Sequence, residues 1–253
     1  MATKHTLKTE QGFTIVELMI ALSVLAVLLV MSTVLLIQIS KMYNKGVTMS
    51  AIQNTDRNIV NDVASALEFG SAAPQFGASY ANIGGTPVLV RSLCLDTKRY
   101  SYIVGYQVAD SPDTTLAPPQ NYHALWEDTM QNAGQCFPLD ITATSPTTSL
   151  DPNGVPTKAG SGQELVPVRS RLTAFSVVQQ SDGNGGYIYD VTANLAYGDN
   201  DLLCDSGAVG DCSSTATSTH LTSPSGSILC KGSAGQEYCA TSHLSTSVTR
   251  RLK

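Results

Sequence analysis

The sequence predicts an α+β fold: one long N-terminal helix, membrane-spanning in its first half and amphipathic in its second, packed on an antiparallel β-sheet head. Three observations carry that expectation. Leu18 to Ile37 is a run of twenty residues without a charge or a proline. Apolar residues then recur at helical spacing as far as Ala66, and beyond Pro74 their period shortens toward two, with turn-forming residues between the runs.

At about 1.5 Å rise per residue the uncharged run reaches roughly 30 Å, the thickness of a bilayer's hydrocarbon core. A cleavable secretory signal is the competing reading, but its apolar core is usually about 7 to 15 residues and ends at a small-x-small site. No such site follows directly, because Ala64-Ser65-Ala66 lies far downstream. The segment is therefore expected to stay with the mature protein. Glu17 is its anomaly, since an acid at membrane depth costs about 2.5 to 3.5 kcal/mol on insertion scales. Either Glu17 sits in the first turn near the interface, where the positive end of the helix dipole favours a carboxylate, or it has a partner.

Gly12-Phe13-Thr14-Ile15-Val16-Glu17, with a short polar leader carrying Lys4 and Lys8 before it and the apolar run behind it, resembles a type IV prepilin. The resemblance implies that a membrane-bound prepilin peptidase cuts after Gly12 on the cytoplasmic side and N-methylates the new first residue, Phe13. A glycine there suits a peptidase that lays extended backbone into its site, having no side chain to obstruct it. By the same resemblance Glu17 pairs with the amino terminus of Phe13 on an adjacent subunit during assembly, a buried pair that serves register more than net stability. The implied partners are other pilin subunits, the prepilin peptidase, the pilus assembly platform and, before assembly, the lipid bilayer. The implied location is a single-pass precursor in the inner, cytoplasmic membrane and then an extracellular pilus at the cell surface. Flanking charge does not set that orientation, because Lys41 and Lys45 answer Lys4 and Lys8. Many type IV pilins carry a proline in the second half of the membrane segment; this chain has none between Phe13 and Phe69, leaving Gly46 or Ser32-Thr33 as softer points.

The expected organisation is a leader at 1–12, a transmembrane and filament-core helix at 13–40, an amphipathic half at 41–70 and a disulfide-stapled, β-rich head at 71–253. The chain's 253 residues leave room for one head with its own core. Without Lys4, Lys8, Glu10 and Glu17 the chain keeps 13 basic against 18 acidic residues, which argues against a nucleic-acid partner. Arg250, Arg251 and Lys253 read as solvated charge at a strand end.

One nearly continuous helix is expected from Thr14 to Phe69. Met42, Met49, Ile52, Ile59, Val63 and Ala66 form its apolar stripe, with Gln53, Asp56, Arg57, Asn58 and Asp62 between them. Gly46 is the expected bend and Gly70 with Pro74 the expected stop. Val88 to Leu93 and Tyr100 to Val108 then alternate as strands, joined by a hairpin at Asp96-Thr97-Lys98. The tyrosines of the second are expected to pack the sheet on the helix; a sugar-stacking platform is the alternative. Asp110 to Asn121 reads as a loop, Tyr122 to Trp126 as a short strand or turn of helix, and Thr142 to Glu164 as a long exposed loop. Val166 to Gln179 and Tyr187 to Tyr197 are the best strands, joined through Asp182-Gly183-Asn184-Gly185-Gly186. Ser242 to Leu252 is the final strand.

Six cysteines, Cys94, Cys136, Cys204, Cys212, Cys230 and Cys239, all follow the membrane segment and fit an oxidising compartment. The expected pairing is Cys230 with Cys239, with Cys204 bonded to Cys212 or in a crossing arrangement, which leaves Cys94 with Cys136. None has zinc-ligand spacing. Asp199, Asn200, Asp201 and Asp205 are a weak calcium candidate without the spacing or closing glutamate of an EF-hand, so no metal and no cofactor are expected. No nucleophile elbow, phosphate loop or HExxH appears, and His123, His220 and His243 read as solvated loop residues, so the chain is not expected to be an enzyme. Two functions follow: a structural subunit of a type IV pilus or related filament, of the larger minor-pilin or pseudopilin kind, or a membrane-anchored extracytoplasmic adhesin or binding domain not assembled into a filament.

Overall fold

The computed structural model describes residues 12, 14–83, 85–108, 122–130, 136–143, 146–151, 159–181, 183, 186–199, 201–205, 228–231 and 235–250. They fall in two compact units, Met1–Tyr43 and Asn44–Lys253, each taken by itself. The helix α1 (Ile15–Phe69) supplies residues to both and is uninterrupted at Ser32, Thr33 and Gly46.

In the first unit every residue from Thr14 to Tyr43 is exposed, among them Ile15 at 79 % and Leu25 at 52 %. An apolar surface of that extent is stable in lipid or against other apolar helices, not in water. The segment holds many β-branched residues, which are mediocre helix formers in water; in lipid the backbone must satisfy itself, and a helix does so. Its hydroxyls follow the same rule. Ser23 donates to the Ile20 carbonyl at 2.8 Å, Ser32 to Leu28 at 2.8 Å and Thr33 to Leu29 at 2.8 Å.

In the second unit β1 (Gln75–Ile83), β2 (Thr86–Leu95), β3 (Lys98–Tyr102), β4 (Leu125–Met130) and β5 (Ala159–Glu164) form an antiparallel sheet in chain order. A second antiparallel sheet has β7 (Tyr187–Tyr197) between β6 (Ser170–Ser181) and the last strand. A small ribbon joins β8 (Leu203–Asp205) to β9 (Ile228–Cys230), and β10 (Ala240–Thr249) is that last strand. Ile52, Ile59, Val63 and Leu67 of α1 share one core with Leu93, Tyr100 and Leu125 of the first sheet and Leu172, Tyr189 and Leu195 of the second. Tyr102 meets Phe175 edge to face across it, ring centroids 4.9 Å apart. Each such side chain contributes about 1.5 to 3 kcal/mol by burial. The other face of the first sheet packs Val90 and Ile103 on Leu139 and Ile141.

Several elements differ from the expected ones. Strand β1 lies where no strand is expected, because its glycine, alanines and asparagine carry little β signal; Gly77 is there because a Cβ would sit 1.6 Å from the Cys136 carbonyl oxygen. The run from Tyr100 leaves the first sheet after Tyr102: Gly105, at φ +92°, turns the chain so that its N–H donates to the Leu172 carbonyl at 2.8 Å. Tyr100 and Tyr102 join the helix core, whereas Tyr106 packs in the opposite cluster. The expected loop from Thr142 ends in β5, an edge strand without apolar alternation, held by its ladder to β4 and by Gly162, whose Cβ would stand 2.2 Å from Trp126 Nε1. The first of the two best strands starts at Ser170, not Val166, and Leu125 to Met130 is strand where only a short element was expected. The Asp110 to Asn121 loop lies outside the described residues.

The apolar stripe of α1 also includes an acid. Met42 and Met49 are 72 % and 39 % exposed, while Asp56 is fully buried. Ser242 of β10 donates to Asp56 Oδ2 at 2.6 Å, and Asp56 Oδ1 has no hydrogen-bond partner among the described residues. Burial raises the Asp56 pKa above its ordinary 3.8, against the opposing Ser242 hydrogen bond and nearby His243. The folded state thus binds a proton more readily than the unfolded chain, so this group's contribution is fully present below the ordinary carboxylate pKa and is lost as pH rises through the folded one. Asp56→Asn is expected to raise the thermal midpoint by a few degrees at neutral pH, with the gain shrinking on acidification toward about pH 4. Thermal melts of both proteins across that range check this.

Candidate functional site

The first candidate site is the start of α1. Thr14 caps the helix: the Glu17 N–H donates to Thr14 Oγ1 at 3.3 Å and the Leu18 N–H to the Thr14 carbonyl at 3.1 Å. Thr14-Ile15-Val16-Glu17 is thus a capping-box sequence, with its acid in the first turn where the helix dipole favours negative charge. The backbone of Glu17, not its carboxylate, receives the cap. Gly12 is not a glycine for lack of room, because a Cβ there would meet nothing within 4 Å among the described residues. Phe13 lies outside the described residues, and the described hydrogen bonds join Thr14 to Glu17 and Leu18.

The second unit concentrates its charge in networks that tie helix to sheet and sheet to loop. Lys98 Nζ bridges Asp62 Oδ1 on α1 at 2.8 Å and Glu127 Oε1 on β4 at 2.8 Å. The Tyr100 hydroxyl donates to Asp62 Oδ2 at 2.5 Å, and burial with the neighbouring carboxylates pushes its pKa up, which keeps it a donor. On the opposite face Arg99 holds Asp128 through two hydrogen bonds, 2.8 and 2.6 Å, and donates to the Phe137 carbonyl at 3.0 Å. Glu164 accepts from the backbone N–H groups of Ala124, Leu125 and Val166 at 3.1, 3.0 and 2.9 Å and faces His123 Nδ1 at 3.2 Å. His123 is therefore buried, at 8 % exposure, and His243 stands on β10 beside Asn194, not in a solvated loop. His220 lies outside the described residues. Arg250, read as solvated charge, donates to the Gly70 and Ser71 carbonyls and so satisfies the exit of α1. Arg251 and Lys253 lie outside the described residues.

Cys94 is bonded to Cys136, which ties β2 to the segment after β4 across 42 residues of sequence; loop closure of that length is worth about 4 kcal/mol in the chain-entropy account. Cys230 is bonded to Cys239. Cys204 is also disulfide-bonded, and Cys212 lies outside the described residues. Asp199 accepts from Gln107 at 3.3 Å and faces Arg169 at 3.4 Å; Asp201 is in an exposed turn. Asn200 and the side chain of Asp205 lie outside what is described. Among the described residues no group of three or more His, Cys, Asp or Glu is placed to hold a metal ion.

Residues 7–33 match the family model of the prokaryotic N-terminal methylation motif, the class III signal peptide of type IV pilins. No curated protein and no solved structure matches the chain.

Proposed function

We propose that this type IV pilin-like precursor is a structural subunit of a type IV pilus or related filament, of the minor-pilin kind, and not an enzyme. The observation that carries the reading is the methylation motif at 7–33 set on a helix whose apolar residues are all exposed from Ile15 to Ile39. In this reading 1–12 is the leader, 13–40 the transmembrane and filament-core segment, 41–70 the amphipathic half and 71–253 the head. Prepilin peptidase cuts after Gly12 and methylates Phe13, and the glycine is selected by the peptidase's site, since the described residues leave room for a side chain there. Glu17 then pairs with the Phe13 amino group of a neighbouring subunit. Lipid holds the apolar helix until the assembly platform exchanges bilayer contacts for contacts with other helices, and the head passes to the extracellular side, where its disulfides are stable.

Mass spectrometry of the mature amino terminus tests this reading. The expected result is a chain beginning at N-methyl-Phe13 and copurifying with sheared filaments. A chain still beginning at Met1 and absent from filaments would make it a tethered binding domain instead.

A further inference from the structure

From Phe69 to Val90 the chain carries no charged residue. Strand β1, inside that stretch, is the end strand of the first sheet. It pairs with β2 residue for residue, from Gln75 opposite Cys94 to Ile83 opposite Thr86, and among the described residues no strand lies beyond it. Natural sheets commonly guard such an edge with a charge, a proline or a bulge, because its outward N–H and C=O groups can pair with another chain. Strand β1 has none of the three.

The two faces of β1 differ. Gly77 abuts the Cys136 carbonyl, and Ala81 is buried in the cluster of Val90 and Ile103, so this face is fixed inward. Phe76, Ala78 and Tyr80 alternate onto the other face, the one that carries α1, since Phe76 lies opposite Leu93 of the helix core. The helix leaves them uncovered: Phe76 is 57 % and Tyr80 67 % exposed, and Ala78 is exposed as well. Two open aromatic side chains on an uncharged, unguarded edge mark a surface for association.

We propose that β1 pairs antiparallel with β1 of a second copy, across a twofold axis at Ala78. A twofold contact must be complementary to itself, and Phe76-Gly77-Ala78-Ser79-Tyr80 runs aromatic, small, small, small, aromatic from either end. In this register Phe76 meets Tyr80 of the second copy twice, Gly77 meets Ser79, and Ala78 meets itself. Aromatic residues directly opposite each other attract, and no like charges face across the junction. The nearest charge, Arg91, lies opposite Ala78 on β2. Three strand spacings, about 14 Å, then separate the two Arg91 backbones, more than a Debye length of about 8 Å. The twofold axis reverses the part of α1 packed on the sheet, so the joined copies point opposite ways. In the filament reading the subunits of one filament point alike, and the contact therefore joins copies from separate filaments. The pairing itself does not depend on that reading.

The test is sedimentation of the full-length chain in density-matched detergent over a range of concentrations. The wild type is expected to dimerise as its concentration rises. Ala78→Lys sets two ammonium groups against each other between the Arg91 guanidiniums and is expected to weaken the dimer at least tenfold. Mixing Ala78→Lys with Ala78→Glu should restore a heterodimer, which also shows that the lysine variant is folded. Ala78→Cys places its thiols on the axis and should oxidise to a linked dimer, whereas Phe76→Cys, with its two copies about 13 Å apart along the strands, should not. A wild type that stays monomeric would overturn the proposal and leave the edge to a different chain. Association unchanged in Ala78→Lys would overturn it too, by assigning the contact to the apolar helices, as would failure of the lysine and glutamate variants to combine.

Discussion

Replacing Asp128 with alanine is expected to lower the stability of the head by about 3 to 5 kcal/mol, the usual cost of leaving one member of a buried ion pair alone. The Arg99 and Asp128 side chains are 1 % and 0 % exposed, and Asp128 accepts from both Nε and Nη2 of Arg99. Without the carboxylate, the guanidinium keeps only the Phe137 carbonyl and remains out of water with its charge uncompensated. Such a charge forces local opening or water entry between the first sheet and the segment that covers it. Replacing both partners is a different matter, because no charge is then stranded: Arg99→Met with Asp128→Leu is expected to unfold close to the wild type. Denaturant unfolding of the full-length chain in detergent measures both. Trp126, the chain's single tryptophan, lies two residues from Asp128 on β4 and reports on that region directly. A loss below about 1 kcal/mol in Asp128→Ala would mean that solvent reaches Arg99, and that the pair is weaker than its burial implies.

The same pair shows where sequence reasoning reaches its limit. The helix was legible because its signals are local: an uncharged run, a threonine cap, and apolar residues at intervals of three, four and seven. Strands β7 and β10 were legible because one buried face leaves an alternation in the chain. Arg99, Asp128 and Glu164 leave no such trace. A periodicity argument counts every charged residue as surface, and the side chains they face, Arg99 with Asp128 and Glu164 with His123, lie 29 and 41 residues apart. Asp56 failed for the same reason, since Ser242, which lets it be buried, comes from the last strand. Strand β5 failed because its ladder and Glu164 hold it where apolar side chains do not. The start of α1 is the opposite case. Gly12, Phe13 and Glu17 fall within six residues, so a motif could be read whole.

The two units also answer to different solvents, and this decides what each can tolerate. From Thr14 to Tyr43 every residue is exposed, so in the filament reading the identity of a residue there matters through lipid and neighbouring helices. From Asn44 onward the side chains are tested by packing within the chain. A substitution in the first unit should therefore spare the fold of the second and act on assembly.

Glu17→Ala is the sharpest case of that rule: insertion into the membrane should be preserved and recovery in filaments should fall at least tenfold. Removing the carboxylate lifts an insertion penalty of about 2.5 to 3.5 kcal/mol, so the anchor is not weakened. The helix start survives as well, because Thr14 receives the backbone N–H of residue 17, which alanine retains. What disappears is the proposed partner for the Phe13 ammonium of a neighbouring subunit, and stranding that charge among apolar helices costs about 3 to 5 kcal/mol, far more than a tenfold effect requires. Gly12→Leu supplies the contrast, for it should halt the chain one step earlier, uncut and unmethylated. Glu17→Gln separates pairing from capping. The amide keeps the shape and some of the favourable interaction with the helix terminus but has no charge to give. If Glu17 serves only the helix dipole, worth about 0.3 to 1 kcal/mol, the glutamine variant should enter filaments nearly as well as the wild type. If it serves the ammonium, glutamine should fail almost as badly as alanine. Membrane fractionation followed by shearing and immunoblotting distinguishes the two, and normal incorporation of Glu17→Ala would remove the pairing from the assembly mechanism.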